Sequence, residues 1–405
     1  MYQPTLNLAQ NIINQYGSPV AVVSKSVLEE KVNLMKSAFT NNTKIFYAIK
    51  ANNNPHIVKV LKNAGIDGID TVSINEVLLA KKLGFTSNQI IYTGSSCSDD
   101  EMRAVHEQGV ILNIGSTSEL ARFGAMFPGT KVSIRFNPEV GDGETAAVIT
   151  AGDSTKFGIK ASKLDEVKQI VAEHNLTIAG IHCHIGSGFY STEQFEEAVV
   201  RILEQAKDFA NLEFVDFGGG FGVQYKKEQG QINLNDFAAS IEKHIAEFNA
   251  HNKKEIEVRL EPGKFLVMQA CATLTKVTTI KDEYAIPFVG TDTGMNHIIR
   301  PALYGSYHHV ENLSNANAEL QKVNIVGNIC ESDDFIAEEI EIPTPRENDI
   351  LAVLTTGAYC PTMQSFYNLR PFLAEVLIDE NEQATLIRKR STFDDLLAQQ
   401  GFTEF

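Results

Sequence analysis

Between residues 44 and 263 the chain alternates eight short apolar runs with amphipathic helical stretches, and nothing else in its 405 residues constrains the fold as strongly. The runs are Lys44–Lys50 (KIFYAIK), Gly65–Val72 (GIDGIDTV), Gln89–Gly94 (QIIYTG), Val110–Gly115 (VILNIG), Lys131–Pro138 (KVSIRFNP), Thr177–Gly186 (TIAGIHCHIG), Glu213–Gly220 (EFVDFGGG) and Ile256–Gly263 (IEVRLEPG). Parallel strands need a crossover long enough to hold a helix, so this alternation predicts βα units. Eight of them make a (β/α)8 TIM-type barrel, with an open doubly wound sheet as the alternative. Helix starts are signposted: Ser73 with Glu76, Ser98 with Glu101, Ser116 with Glu119 and Ser191 with Gln194 fit capping boxes, while Asn54-Pro55 opens a helix that Gly65 closes.

After Gly263 the pattern becomes β-rich (ATLTKVTTI, AIPFVG, KVNIVGNIC, DILAVLTTGAY, PFLAEVLI), which predicts a C-terminal β-sandwich or barrel over 265–405 ending in a short capped helix, Thr392–Gln400. The early extended run Pro19–Ser24 precedes a helix over Val27–Phe39. Residues 1–25 are therefore expected to pair with the C-terminal β domain, leaving 26–264 as the barrel.

The 43% hydrophobic and 21% charged residues exclude a disordered, collagenous or coiled-coil chain. A net charge of −16 repels phosphate backbones and anionic lipid, and no basic cluster offsets it, so small molecules and protein are the expected partners rather than nucleic acid or membrane. Five cysteines without C-x-x-C spacing argue against a disulfide framework or zinc site. The first charge is Lys25, no signal-peptide pattern precedes it, and no run approaches a membrane span; the expectation is a cytoplasmic protein without metal.

Barrel enzymes place reacting groups at the C-terminal ends of their strands. Here those ends carry Lys50, Asp70, Arg135, His184 with Ser187, the run Gly218, Gly219 and Gly220, and Glu261. A lysine at the end of an apolar strand is partly desolvated, which favours the free amine that forms an imine with a carbonyl. Consecutive glycines let main-chain N–H groups approach a phosphate. A carboxylate across the mouth can keep a ring nitrogen protonated and so make the ring an electron sink. Singly, each has an ordinary reading: a snorkelling lysine, a tight turn, a loop acid, a packed histidine, a turn aspartate, an ion-paired arginine. Together they specify pyridoxal 5′-phosphate.

The motifs YAIKAN (47–52), HCHIGSG (182–188), DFGGGFG (216–222), EPGK (261–264), MNHIIRPALYG (295–305), CESDD (330–334) and TTGAYC (355–360) resemble those of the diaminopimelate decarboxylase family, among the alanine-racemase-like, fold type III enzymes. The resemblance covers nearly the whole chain. It implies that Lys50 carries the cofactor, His184 stacks on its ring, Glu261 holds the pyridine nitrogen, and Gly220, Ser187 and the segment Glu261, Pro262, Gly263, Lys264 surround the phosphate, with Tyr359 also reaching it. It further implies a head-to-tail homodimer whose CESDD segment acts in trans: Cys330 protonates the carbon that loses CO2, Glu331 binds the remote ammonium, and Lys156 pairs with Asp333 between subunits. Arg300, Tyr304, Lys264 and Tyr359 would contact substrate. Lys264 stands where the family usually has arginine, which removes a bidentate fork from the distal carboxylate clamp. The implied activity converts meso-2,6-diaminopimelate to L-lysine and CO2. A carboxynorspermidine-type decarboxylase and a non-catalytic cofactor-binding or regulatory protein are the alternatives.

Overall fold

The computed structural model describes residues 1–39, 42–144, 149–153, 155–226 and 228–402. The chain divides into two compact units: one comprises 31–224 and 230–265, the other 1–30, 225–229 and 266–405.

In the first unit, eight strands close into a parallel barrel: Thr43–Ala48, Gly68–Thr71, Ile90–Tyr92, Ile111–Ile114, Lys131–Asn137, Thr177–His182, Phe214–Asp216 and Glu257–Leu260. Closure comes from the first strand pairing with both the second and the eighth, as in Ala48 opposite Asp70 and Leu260 opposite Ile45, and this excludes the open sheet. Each predicted run holds one strand, but the strands are shorter, because the runs also counted the turn residues at each rim. A two-residue strand, Ile159–Lys160, joins the fifth and lies outside the eight runs. The floor of the barrel is apolar, with Phe46, Ile91 and Phe214 in one buried cluster and the Arg259 guanidinium 3.6 Å from the Phe214 ring centroid.

Ser73, Ser98 and Ser116 do cap helices, each accepting from the backbone N–H three residues on. The reciprocal arm of the box is used differently: Glu76 accepts from the N–H of Val72, and Glu119 reaches the N–H of Cys97 at 2.8 Å. These glutamates tie strand-end loops to helices instead of closing the cap. Ser191 is not a cap; the helix Glu193–Ala206 begins after Thr192, which makes no side-chain cap bond. Asn54, Pro55 and Gly65 bound their helix as expected, with Gly65 at φ +104 where a side chain would be strained.

The second unit is built on a mixed nine-stranded sheet. Val20–Ser24 lies inside it, antiparallel to Cys271–Lys281 and parallel to Ala374–Ile378, with Val22 opposite both Ala272 and Val376. A helix not anticipated from the sequence, Leu6–Tyr16, buries Leu8, Ala9, Ile12 and Ile13 in the same apolar cluster as those strands. Its signal was legible as Thr5 capping, a two-by-two apolar spacing and Gly17 at the end. Strands Val310–Asn312, Phe335–Pro343 and Ala384–Arg388 were also not anticipated. The expected terminal helix runs Phe393–Gln399 with a full Thr392/Asp395 capping box. No helix among the described residues is long and apolar enough to cross a membrane.

Candidate active site

Lys50 sits not on the first strand but in the single 3-10 turn Ile49–Ala51 that follows it. The ladder ends because Ala48 N–H turns to Pro262 O at 3.3 Å, and Tyr47 Oη donates to Asn52 O at 2.9 Å, which draws the chain back over the rim. The Lys50 amine lies 2.9 Å from Asp70 Oδ2; the lysine side chain is 36% exposed and the aspartate wholly buried. An amine at a rim, held by a buried acid yet open on one side, suits covalent capture of a carbonyl.

Across the barrel, Arg135, His182 and Asp216 fall opposite one another on three adjacent strands, so the register forms one charged row. Arg135 stacks over Phe157 with 4.7 Å to the ring centroid. His182 Nε2 lies 3.0 Å from Glu261 Oε2, and Asp216 Oδ1 accepts from Gly218 N–H at 2.8 Å. Burial and the Asp70 charge push the Glu261 carboxyl up to about 8 against the opposing effects of Lys50, Arg135 and a hydrogen bond to Asp216, and burial beside Glu261 raises Asp216 well above its ordinary value. Burial depresses His182 to about 4. The sequence alone assigns no role to His182 or Asp216, although both stand inside the motifs HCHIGSG and DFGGGFG.

The glycine run is a close-packed turn. A Cβ on Gly219 would lie 2.1 Å from Glu261 O, and Gly220, at φ +105, would meet Gly186 O at 2.2 Å. The N–H groups of Gly218 and Gly219 face Asp216 Oδ1 and His184 Nδ1, the latter at 3.2 Å, rather than an open cradle. Those two N–H groups are thus engaged within the protein, where they orient Asp216 and His184. Because a backbone N–H can only donate, His184 Nδ1 must be the acceptor, which puts any ring proton on Nε2. Burial and the nearby Arg135 and Lys50 charges hold this imidazole neutral. Behind the turn, Phe189, Phe195, Phe221 and Phe237 stack in a buried aromatic cluster with centroids 5.3 to 6.3 Å apart. Each such contact is worth about 0.5 to 1.5 kcal/mol beyond burial, enough together to fix the turn.

Ser187 O accepts from Glu144 N–H at 2.9 Å, and the Glu144 carboxylate lies 2.8 Å from the buried Lys264 amine. The charge at position 264 is therefore paired within the barrel, a feature invisible in the sequence because 120 residues separate the partners. Pro262 and Gly263 are buried beside the first strand, with a Gly263 Cβ position 3.1 Å from Ala48 Cβ. Lys156 is exposed, its amine 5.3 Å from the Phe157 ring centroid.

The second unit carries the remaining predicted residues. Arg300 is buried; His308 Nε2 lies 3.3 Å from its Nη1 and Tyr225 Oη 3.1 Å from its Nη2. His308 is depressed to about 3 by burial and by Arg300, so it remains a neutral acceptor, a positioning role that sequence reasoning missed along with that of Tyr225. Tyr304 is half-buried at the end of the short helix Arg300–Tyr304. Cys330 and Glu331 are exposed on a turn pinned by Asp334, whose carboxylate accepts from Met295 N–H at 2.6 Å and Ile329 N–H at 2.7 Å. Tyr367 Oη donates to Glu331, and Asp333 is exposed. Tyr359 adopts φ +63, a left-handed conformation unusual for an aromatic residue.

Asp70 Oδ1, Arg135 Nη2, His182 Nδ1, Asp216 Oδ2 and Glu261 Oε1 are all buried without a hydrogen-bond partner in the protein. Concentrated orphan groups of this kind imply a polar guest. A heteroaromatic ring with a protonated nitrogen fits: Glu261 offers an unpaired carboxylate oxygen, His184 a neutral imidazole, and Lys50 an amine. Lys50 and Glu261 act on each other electrostatically, so both serve one mouth of the barrel. Fold and site together define a barrel-type pyridoxal phosphate enzyme.

Residues 25–268 match the family model described as "Pyridoxal-dependent decarboxylase, pyridoxal binding domain". The chain is 36% identical over 407 residues to the diaminopimelate decarboxylase of Methanothermobacter thermautotrophicus, covering 97% of this chain and 94% of that one. It superimposes on a crystal structure of diaminopimelate decarboxylase with a TM-score of 0.91 at 30% identity, over 97% of this chain and 96% of the other. The Helicobacter pylori diaminopimelate decarboxylase, solved in complex with L-lysine, gives a TM-score of 0.89 at 28% identity, over 97% and 99%. The chain belongs to the diaminopimelate decarboxylase family of pyridoxal-dependent decarboxylases. It is a carboxy-lyase, and its cofactor is pyridoxal phosphate.

Proposed function

We propose that the chain decarboxylates meso-2,6-diaminopimelate to L-lysine and CO2, the last step of lysine biosynthesis. The observation that carries this reading is the 36% identity to a diaminopimelate decarboxylase over 97% of the chain, both units included. Bound pyridoxal phosphate supplies an electron sink for the pair left behind when the carboxylate departs. The protein's own groups do the rest. The Lys50 amine would hold the cofactor, with Asp70, 2.9 Å away, fixing the amine's position. Glu261 would hold the proton at the ring nitrogen, His184 would stack on the ring, and Gly220, Ser187 and the turn at 261–264 would take the phosphate, with Tyr359 as a further contact.

The proton returned to carbon comes from Cys330 Sγ, and Glu331 takes the remote ammonium. Cys330, Glu331, Asp333 and Lys156 are all exposed on the single chain, which suits a head-to-tail homodimer in which the Cys330–Asp334 turn of one subunit serves the barrel of the other and Lys156 pairs with Asp333. A biosynthetic enzyme of this composition is expected in the cytoplasm.

Substrate choice follows from the distal end. Ornithine and lysine present only an ammonium there, whereas diaminopimelate also presents a carboxylate, for which Arg300, oriented by His308 and Tyr225, is the matching group. Lys264, already paired with Glu144, is the weaker anchor, with Tyr304 lining the same region of sequence. A panel of meso- and LL-diaminopimelate, lysine, ornithine, arginine and carboxynorspermidine, scored by CO2 and product, tests this. The expected result is turnover of the meso isomer at least about 100-fold above lysine. Preference for carboxynorspermidine would reassign the substrate, and cofactor absorbance without turnover of any compound would leave a cofactor-binding protein. In the same assay Arg300→Lys is expected to raise KM for diaminopimelate about tenfold or more with a smaller change in kcat, because the planar fork is lost.

A further inference from the structure

The cofactor-nitrogen acid, Glu261, is not isolated. One ligand-capable atom from each of His182, Asp216 and Glu261 lies within 4.8 Å of the other two, and the three side chains are buried. The Glu261 carboxylate has Oε2 bonded to His182 Nε2 at 3.0 Å, no N–H on Oε1, and a hydrogen bond to the Asp216 carboxyl that only a proton held by one of the two acids can make. The imidazole therefore decides which oxygen stays available and in which plane it lies. Asp216 is similarly divided, with Oδ1 fixed by Gly218 N–H at 2.8 Å and its carboxyl hydrogen-bonded to that of Glu261, while His182 Nδ1 has no protein partner.

The surroundings favour a stored proton. On one flank of His182 stands Arg135, on the neighbouring strand; beyond Asp216 stands Arg259, its charge engaged by Glu257 at 2.7 Å. Lys50 and Asp70 pair with each other at the mouth, and the neutral His184 and Cys183 follow His182 along its own chain. Setting aside the Arg259–Glu257 and Lys264–Glu144 pairs and the half-buried Glu76, whose carboxylate is bonded to Val72 N–H, the groups around the triad are three carboxyls, Asp70, Asp216 and Glu261, against two cations, Lys50 and Arg135. Three minus two leaves one excess negative charge, and a buried excess charge is neutralised most readily by keeping one proton. The raised carboxyls of Glu261 and Asp216 agree with this count.

We propose that His182 is a positioning residue for the cofactor's ring nitrogen: bonded to Glu261 and adjoining Asp216, it fixes the Glu261 carboxyl and retains within this buried triad the proton that the ring nitrogen receives. This rests on the reading of Glu261 as the ring-nitrogen partner and extends it to the two residues that adjoin Glu261, His182 and Asp216. It separates orientation, the task of His182, from proton storage, which Glu261 and Asp216 share.

The test uses holoenzyme reconstituted with pyridoxal phosphate carrying 15N in the ring, with the ring-nitrogen shift followed between about pH 6 and about pH 9. His182→Gln keeps an N–H donor at the reach of Nε2, whereas His182→Asn is polar and of similar volume but too short to reach Glu261. The protonated shift is expected to persist across the range in the parent and in His182→Gln. In His182→Asn it moves toward the unprotonated position in the upper half of the range, with kcat down about tenfold or more and KM nearly unchanged. A parent-like shift and pH profile in His182→Asn would reduce His182 to a packing residue. Equal loss in both variants would also overturn the proposal, because the donor would then not be what matters. Glu261→Gln separates the two layers: if it too keeps the protonated shift, the reading of Glu261 fails, and if it alone loses it, only the role of His182 fails.

Discussion

Lys50→Ala is expected to abolish CO2 release from diaminopimelate, with kcat lower by on the order of 10³-fold or more. The Lys50 amine stands at the rim against Asp70 with its side chain 36% exposed, whereas Lys264, the lysine beside Glu261, is buried and already paired with Glu144. The variant should lack the absorbance band of a lysine-bound cofactor, and borohydride reduction should leave no cofactor on the peptide containing residue 50. Undiminished labelling elsewhere with retained turnover would remove the assignment. The substitution also leaves the wholly buried Asp70 without its cation. Breaking a buried pair costs about 3 to 5 kcal/mol, but Lys50 is 36% exposed, so solvent screening lowers the expected loss to about 1 to 2 kcal/mol. Lys50→Ala with Asp70→Asn should recover that stability without recovering activity, a separation that a double-mutant cycle reads directly.

Glu261→Gln is expected to lower kcat about 10²- to 10³-fold, the loss typical of removing one preorganised group that stabilises charge in the transition state. An amide cannot take the ring-nitrogen proton, so the ring becomes a weaker electron sink while the cofactor remains bound. The same variant has a signature in the cofactor-free protein. Burial raises the Glu261 carboxyl from 4.5 to about 8, so between these limits the folded state binds more protons than the unfolded one. By linkage this contribution to stability is fully present below about pH 4.5 and is lost as pH rises toward about 8. Asp216, raised in the same direction, adds to the slope. Urea unfolding across that window should show stability falling with pH in the parent protein and a distinctly shallower fall in Glu261→Gln. Identical slopes would mean that the carboxyl is not held protonated by its surroundings.

The assembly of the candidate site was largely legible before any coordinates, for a geometrical reason. In a closed parallel barrel all C-terminal strand ends lie on one rim, so recognising eight runs was enough to bring Lys50, Asp70, Arg135, His184, Gly220 and Glu261 together although they span more than 200 residues. Local chemistry was legible too: Asn54-Pro55 with Gly65, and Thr392 with Asp395, name their helix ends because a cap involves only near neighbours. Edge strand Phe335–Pro343 is not legible in the sequence because Glu338, Glu339 and Glu341 mask its apolar alternation, and among the described residues it pairs only with Leu320–Val326. That the N–H groups of Gly218 and Gly219 face Asp216 and His184 is a matter of direction, which composition does not carry.

What the sequence determined by itself was periodicity and chemistry: eight parallel strands, a β-rich second unit, and an amine, an acid and a glycine turn on one rim. What only the tertiary structure decided was register and pairing. The stagger between neighbouring strands sets Arg135, His182 and Asp216 in one row and seats His182 on Glu261, while folding over 120 residues delivers Glu144 to Lys264. Such contacts depend on how strands shift against one another when the barrel closes, and a linear pattern of apolar and polar residues carries no measure of that shift.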